Sequence, residues 1–223
     1  MFKKFFALVT LCSLVFCFSA CKSQIDLSPY LSQTRTDILV GESENYAVKC
    51  YLETREKPMH SDGRKENVCP AVIIKLTVKN GDEKIESGVK VNFKTDEEYG
   101  ATFVFHPESS TYVATAYVNA LPDKAFDVNI VKEGSTENIK LTSVITKDTA
   151  SPLAALAFAQ KSCSELLKND AFACGNFEIH VRLIYDDEKL YYYVGFITAE
   201  ETEALLISSS ADKLIARKTL RNS

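Results

Sequence analysis

Tryptophan is absent from this 223-residue chain, and glycine is scarce at eight residues. The glycine shortage removes whole classes of chemistry. Neither G-x-G-x-x-G nor G-x-x-x-x-G-K occurs, so no loop is marked out to wrap phosphate with backbone N–H groups. G-x-S-x-G and H-E-x-x-H are missing too, which leaves elbow-type serine hydrolysis and zinc-helix proteolysis without support. There is no C-x-x-C, and His60, His106 and His180 do not sit near cysteine pairs, so neither a metal nor another cofactor is expected. Positive charge is also short: 26 Lys and Arg stand against 30 Asp and Glu, for a net −4. Residues 1–20 carry two of those lysines, so the remainder holds 24 basic against 30 acidic residues. Nucleic acid needs a clustered basic face, and none is expected as a partner. The thin run Lys213, Arg217, Lys218 and Arg221 reads as a solvated strand face and tail.

Hydrophobic residues make up 46% of the chain, and 13 Phe and 10 Tyr can anchor a core. The N-terminus carries its own message. Lys3 and Lys4 precede a mostly apolar stretch from Phe5 to Phe18. That stretch falls short of the roughly 20 residues a spanning helix takes, and it fits a cleavable export segment. Phe18-Ser19-Ala20-Cys21 follows and resembles the lipobox of bacterial lipoproteins, with Phe18 where leucine is usual. The resemblance implies diacylglyceryl attachment to the Cys21 sulfur, cleavage before Cys21, and palmitate-type acyl chains. Each buried CH₂ contributes about 0.8 kcal/mol, so two or three chains hold a protein on a membrane where one does not. The expected location is the extracytoplasmic face of the cell membrane, with the membrane engaged through Cys21 and an envelope protein as a possible partner.

Cys12 and Cys17 leave with the signal, which leaves Cys50, Cys69, Cys163 and Cys174. An even number outside the cytoplasm favours two disulfides. Three connectivities exist. Cys50–Cys69 with Cys163–Cys174 is preferred because each pair falls within one module.

The chain divides into a signal at 1–20, a polar tether at 21–36, a β module at 37–147 and an α+β module at 148–223. In the β module, short runs alternate apolar and polar residues, as in Val89-Lys90-Val91-Asn92-Phe93-Lys94, with turn chemistry between them. The expected fold class is mainly β with α+β. The first module resembles an antiparallel immunoglobulin-like β-sandwich in architecture, though it has no Cys…Trp…Cys signature. Ser151 and Pro152 then suit an N-cap and first helical position, opening a helix to about Lys168. Three or four strands follow, so this module is one helix on an antiparallel meander. Tyr193-Val194-Gly195-Phe196-Ile197, Ala204-Leu205-Leu206-Ile207 and Asp212-Lys213-Leu214-Ile215-Ala216 give it a weak similarity to PepSY-type and cystatin-like modules. No functional residue carries over from that similarity.

Two features stand out as binding candidates. The long connection between Cys50 and Cys69 presents Arg55, Met59, His60 and Arg64, and long connections are either functional or simply solvated. The run Tyr191-Tyr192-Tyr193 offers ring area at low entropic cost, or ordinary strand residues. Acidic turns such as Asp96-Glu97-Glu98 lack calcium-loop spacing. The expected function is a non-catalytic binding or structural role at the cell envelope. The alternative is a regulator or inhibitor of an extracytoplasmic hydrolase acting through the C-terminal module. An enzyme of unrecognised type stands third, and would need a concave pocket gathering His60, His106 or His180 with carboxylates.

Overall fold

A computed structural model describes residues 26–57, 63–79, 88–132, 134–165, 167, 172 and 174–222. Nine strands come first: β1 (Leu31–Glu42), β2 (Tyr46–Glu56), β3 (Val68–Val78), β4 (Lys90–Lys94), β5 (Glu98–Thr102), β6 (Val104–His106), β7 (Thr111–Tyr117), β8 (Ala125–Lys132) and β9 (Ser135–Ser143). Helix α1 (Pro152–Ser162) follows, then β10 (Glu178–Asp186), β11 (Lys189–Ile197), β12 (Glu201–Ser208) and β13 (Leu214–Arg221). The protein is mainly β, with antiparallel pairing throughout except where β1 meets β10.

The first nine strands form one curled sheet in the order β6-β7-β3-β2-β1-β9-β8-β4-β5. The curl nearly closes it into a barrel. Tyr99 on β5 reaches back so that its Oη accepts the Asn119 N–H, just past β7, at 3.0 Å. Strand alternation drives the closure, because every second residue must leave water. Val91 and Phe93 on β4, Val128 and Ile130 on β8, and Ile139 and Leu141 on β9 all point inward. They meet Leu39, Cys50, Leu52, Val72 and Ile74 from the other wall. Each fully buried Val, Leu, Ile or Phe contributes about 1.5–3 kcal/mol.

β1 is the hinge between the two halves of the molecule. Its first residues pair in parallel with β10, from Leu31 opposite Ile179 to Arg35 opposite Arg182. A bulge at Thr36 then re-aims the strand, as an extra residue does. Beyond it, Leu39 and Val40 pair with β9 instead. Gly41 permits that close approach, because a Cβ there would run into the Lys140 backbone. The second sheet, β13-β12-β11-β10, therefore continues through β1 into the barrel. Helix α1 covers one face of it, burying Ala155, Leu156 and Ala159 against Ile179, Val181, Leu183, Val194, Phe196 and Leu205. Ser151 caps the helix by accepting the Ala154 N–H at 3.2 Å, with Pro152 at its first turn.

Two expectations are corrected. Part of the stretch read as a tether is folded: a 3-10 turn occupies Ser28–Tyr30 and β1 begins at Leu31. Leu27 is buried beside α1, and polar Ser32 and Gln33 are buried because Glu178 and Glu53 accept their hydrogen bonds. The pairing Cys50–Cys69 does not fit the register. Cys50 lies opposite Ile74 and Cys69 opposite Arg55, five residues apart along the ladder. That separation is roughly 16 Å, against Cα separations of about 4.4–6.8 Å across a disulfide. The two thiols also point to opposite faces, Cys50 into the barrel core. All four described cysteines are free thiols, with Cys50 and Cys163 buried and Cys174 exposed.

Candidate functional site

The outer face of β5, β4, β8 and β9 carries a row of amides. Strand alternation sends Asn92, Asn129 and Asn138 outward while their neighbours fill the core. The register then sets them side by side. Asn92 lies opposite Gly100 on one flank and opposite Asn129 on the other, and Asn129 lies opposite Asn138. Asn138 Nδ2 donates to Asn129 Oδ1 at 2.9 Å. Gly100 completes the row without a side chain; a Cβ there would lie 2.8 Å from Asn92 Oδ1. The row floors a groove of about 770 Å³, walled by Lys94, Glu98 and Asp127. The alternate residues Phe93, Tyr99 and Phe126 turn their rings to the core side of the sheet beneath it. The rings are braced against each other, Phe93 lying 5.7 Å from both Tyr99 and Phe126. Tyr99 is fixed further by donating to Asp96 Oδ1 at 3.3 Å. The groove thus offers a row of amide donors and acceptors between charged walls.

A second polar cluster lies where β1, β2, β10 and β11 meet, on the face away from α1. Glu53 is fully buried and its carboxylate accepts from Gln33 Nε2 at 2.7 Å and from Arg35 Nε and Nη2 at 3.1 and 3.0 Å. Arg55 Nη1 lies 3.6 Å from the same carboxylate. Arg182 Nε donates to Gln33 Oε1 at 2.7 Å, and its Nη2 lies 3.0 Å from His180 Nδ1. A guanidinium can only donate, so Nδ1 accepts and the imidazole proton sits on Nε2. Burial, with Arg182 and Arg55 adding to it, lowers the His180 pKa to about 3. The ring is therefore neutral across the physiological range. Burial, then Arg35, lowers the Arg182 pKa as well.

This cluster is not arranged for hydrolysis. Ser32 Oγ donates to Glu178 Oε2 at 2.9 Å, and His180 Nε2 lies 3.5 Å from that same oxygen. A serine nucleophile must hydrogen-bond to the histidine that takes its proton. Here serine and histidine both meet the carboxylate instead, and all three residues are buried. Among the described residues no group of three or more His, Cys, Asp or Glu could hold a metal ion.

The residues singled out in the sequence do not form one surface. Arg55 and Tyr193 both approach Arg182, the Tyr193 ring lying 5.7 Å from its guanidinium. They belong to the cluster at the joint, not to an open face. Tyr192 is core: it is buried, it donates to Ala150 O at 2.6 Å, and burial raises its pKa to about 12. Tyr191 is half-buried opposite Ser208. Arg64 lines a separate groove with Tyr30, Glu66 and Cys174. Cys21, Met59 and His60 lie outside the described residues. His106 is exposed at the end of β6. The asparagine row escaped the sequence reading. Its signal, an asparagine at an outward position of three strands, appears only once the register is known. No family model, curated protein or solved structure matches the chain.

Proposed function

We propose that this chain is a bacterial lipoprotein, held by acyl chains on Cys21 at the extracytoplasmic face of the cell membrane, with a non-catalytic binding role. Phe18-Ser19-Ala20-Cys21 after the basic and apolar start carries the address. The asparagine groove carries the binding role, as a concavity of about 770 Å³ lined mainly by polar side chains. The fold supports their separation. Four residues separate Cys21 from Asp26, and the five steps between the two span at most about 18 Å. The anchor therefore sits close to Leu27 and the start of β1. From Leu31 the chain runs along β1 to Val40, opposite Thr142, and Asn138 lies four residues further the same way. That is roughly 40 Å along the strand direction. The groove is held at the end away from the lipid, open to an envelope component. In finer terms we read the first nine strands as an immunoglobulin-like arrangement whose two sheets are joined through β1.

A second reading, regulation of an extracytoplasmic hydrolase by the C-terminal module, draws on β13. That strand is exposed along all eight residues and, among the described residues, pairs only with β12, which leaves its other edge for a partner's strand. The order of helix and meander, similar to PepSY-type and cystatin-like modules, agrees with it.

Metabolic labelling with an alkyne fatty acid tests the address. The native chain takes up label and its mature N-terminus is Cys21, while Cys21→Ala stays unlabelled and uncleaved. An unacylated native chain, free in the cytosol, would overturn the reading.

A further inference from the structure

The asparagine groove has a chemistry specific enough to name its ligand class. Each carboxamide places two donors and one acceptor in a plane. Neighbouring hydroxyls on a sugar ring each donate and accept, so a row of amides matches a row of hydroxyls. The Asn138–Asn129 hydrogen bond consumes one N–H and one carbonyl oxygen. It leaves the Asn129 amide nitrogen and the Asn138 carbonyl for a ligand, already oriented. Among the described residues the Asn92 carboxamide makes no hydrogen bond, so all of it is available.

Charge narrows the class. The walls carry one lysine against two carboxylates, and the whole chain is net negative, so phosphate- or sulfate-bearing polymers are repelled. Gly100 keeps the floor open, since a Cβ there would lie 2.8 Å from Asn92 Oδ1. A volume near 770 Å³ lies within the usual range for ligand pockets and has room for more than one sugar ring. We infer that the groove binds neutral oligosaccharides of hexopyranose units, lying across Asn92, Asn129 and Asn138. This inference deepens the binding reading above and rests on the groove being the binding face.

The test is titration of the full-length chain in detergent with maltotetraose, cellotetraose and chitotetraose, followed by saturation-transfer NMR and calorimetry. Inorganic tripolyphosphate serves as the anionic arm. At least one saccharide binds, and tripolyphosphate does not. Asn92→Ala with Asn129→Ala weakens saccharide binding at least ~tenfold, as expected for the loss of two or more hydrogen bonds. Gly100→Val, which fills the floor and removes no amide, produces the same loss and decides the matter if the double variant folds poorly. Thr136→Ala, on β9 but outside the groove, binds as the native chain does. Failure of all three saccharides, preference for tripolyphosphate, or unchanged binding in the groove variants would overturn the inference. A crosslinker at Lys94 that captures a protein, with no saccharide bound, would overturn it too and leave the broader binding reading standing. Fatty-acid labelling of Cys21 is independent of every one of these results.

Discussion

His180 makes this fold sensitive to acid. In the unfolded chain its imidazole takes a proton near pH 6.5, while in the fold it refuses one until about pH 3. Between those values the unfolded state binds more protons, so falling pH favours unfolding. The stability is fully present above about pH 6.5 and is lost on acidification, by up to about 1.4 kcal/mol per pH unit. Asp37 works in the opposite sense, because burial raises its carboxyl. Comparison with a His180 variant over pH 5 to 6.5 separates the two. Urea midpoints across that window should fall with pH in the native chain and flatten in His180→Gln. Equal slopes would show that the ring is not held neutral. Glu53 is the second residue on which the joint depends. It is the acceptor for Arg35 and Gln33 and faces Arg55. Glu53→Ala leaves those cations without their carboxylate, and a broken buried pair costs about 3–5 kcal/mol. Denaturant unfolding of the variant measures this, and a cost below 1 kcal/mol would contradict the network.

Register decides what the strands bring together. Because Cys50 and Cys69 sit five ladder positions apart and face opposite ways, oxidation of the native protein should yield no peptide linking them. Mass spectrometry after nonreducing digestion checks this, and a Cys50–Cys69 peptide would refute the β2–β3 pairing. Much at this scale was legible beforehand. The alternation over 89–94 puts Val89, Val91 and Phe93 on one side, and all three are buried. The face of β10 with Ile179, Val181 and Leu183 meets α1, as its pattern implies. Ser151 and Pro152 start the helix where their chemistry says. Other features were not legible, for definite reasons. The first half of β1 reads as a spacer because Ser32 and Gln33 find their partners 146 and 20 residues away. The run Ala101–His106 is broken at Phe103, which separates β5 from β6. Alternation puts Glu178, His180 and Arg182 on the face away from α1, but it does not show that parallel pairing with β1 encloses them. The asparagine row depends on pairing among four strands that local pattern cannot supply.

The whole molecule has two ends with different chemistry. At one end Leu27 is buried beside α1, and Leu153 stands 63% exposed on the same groove as Asp26 and Ser28. At the other, the asparagine groove opens at the far reach of β9. Under the anchoring proposed above, lipid on Cys21, five residues before Asp26, would turn that difference into an orientation: Leu153 near the bilayer and Lys94 far from it. The direct measurement uses the acylated chain on vesicles containing headgroup-quencher lipid, with a fluorophore attached at Leu153→Cys or at Lys94→Cys. Strong quenching at position 153 with little at position 94 is the expected result. Equal quenching at both positions, or none at either in a chain shown to carry acyl groups, would contradict an anchor at Cys21 that holds the groove outward.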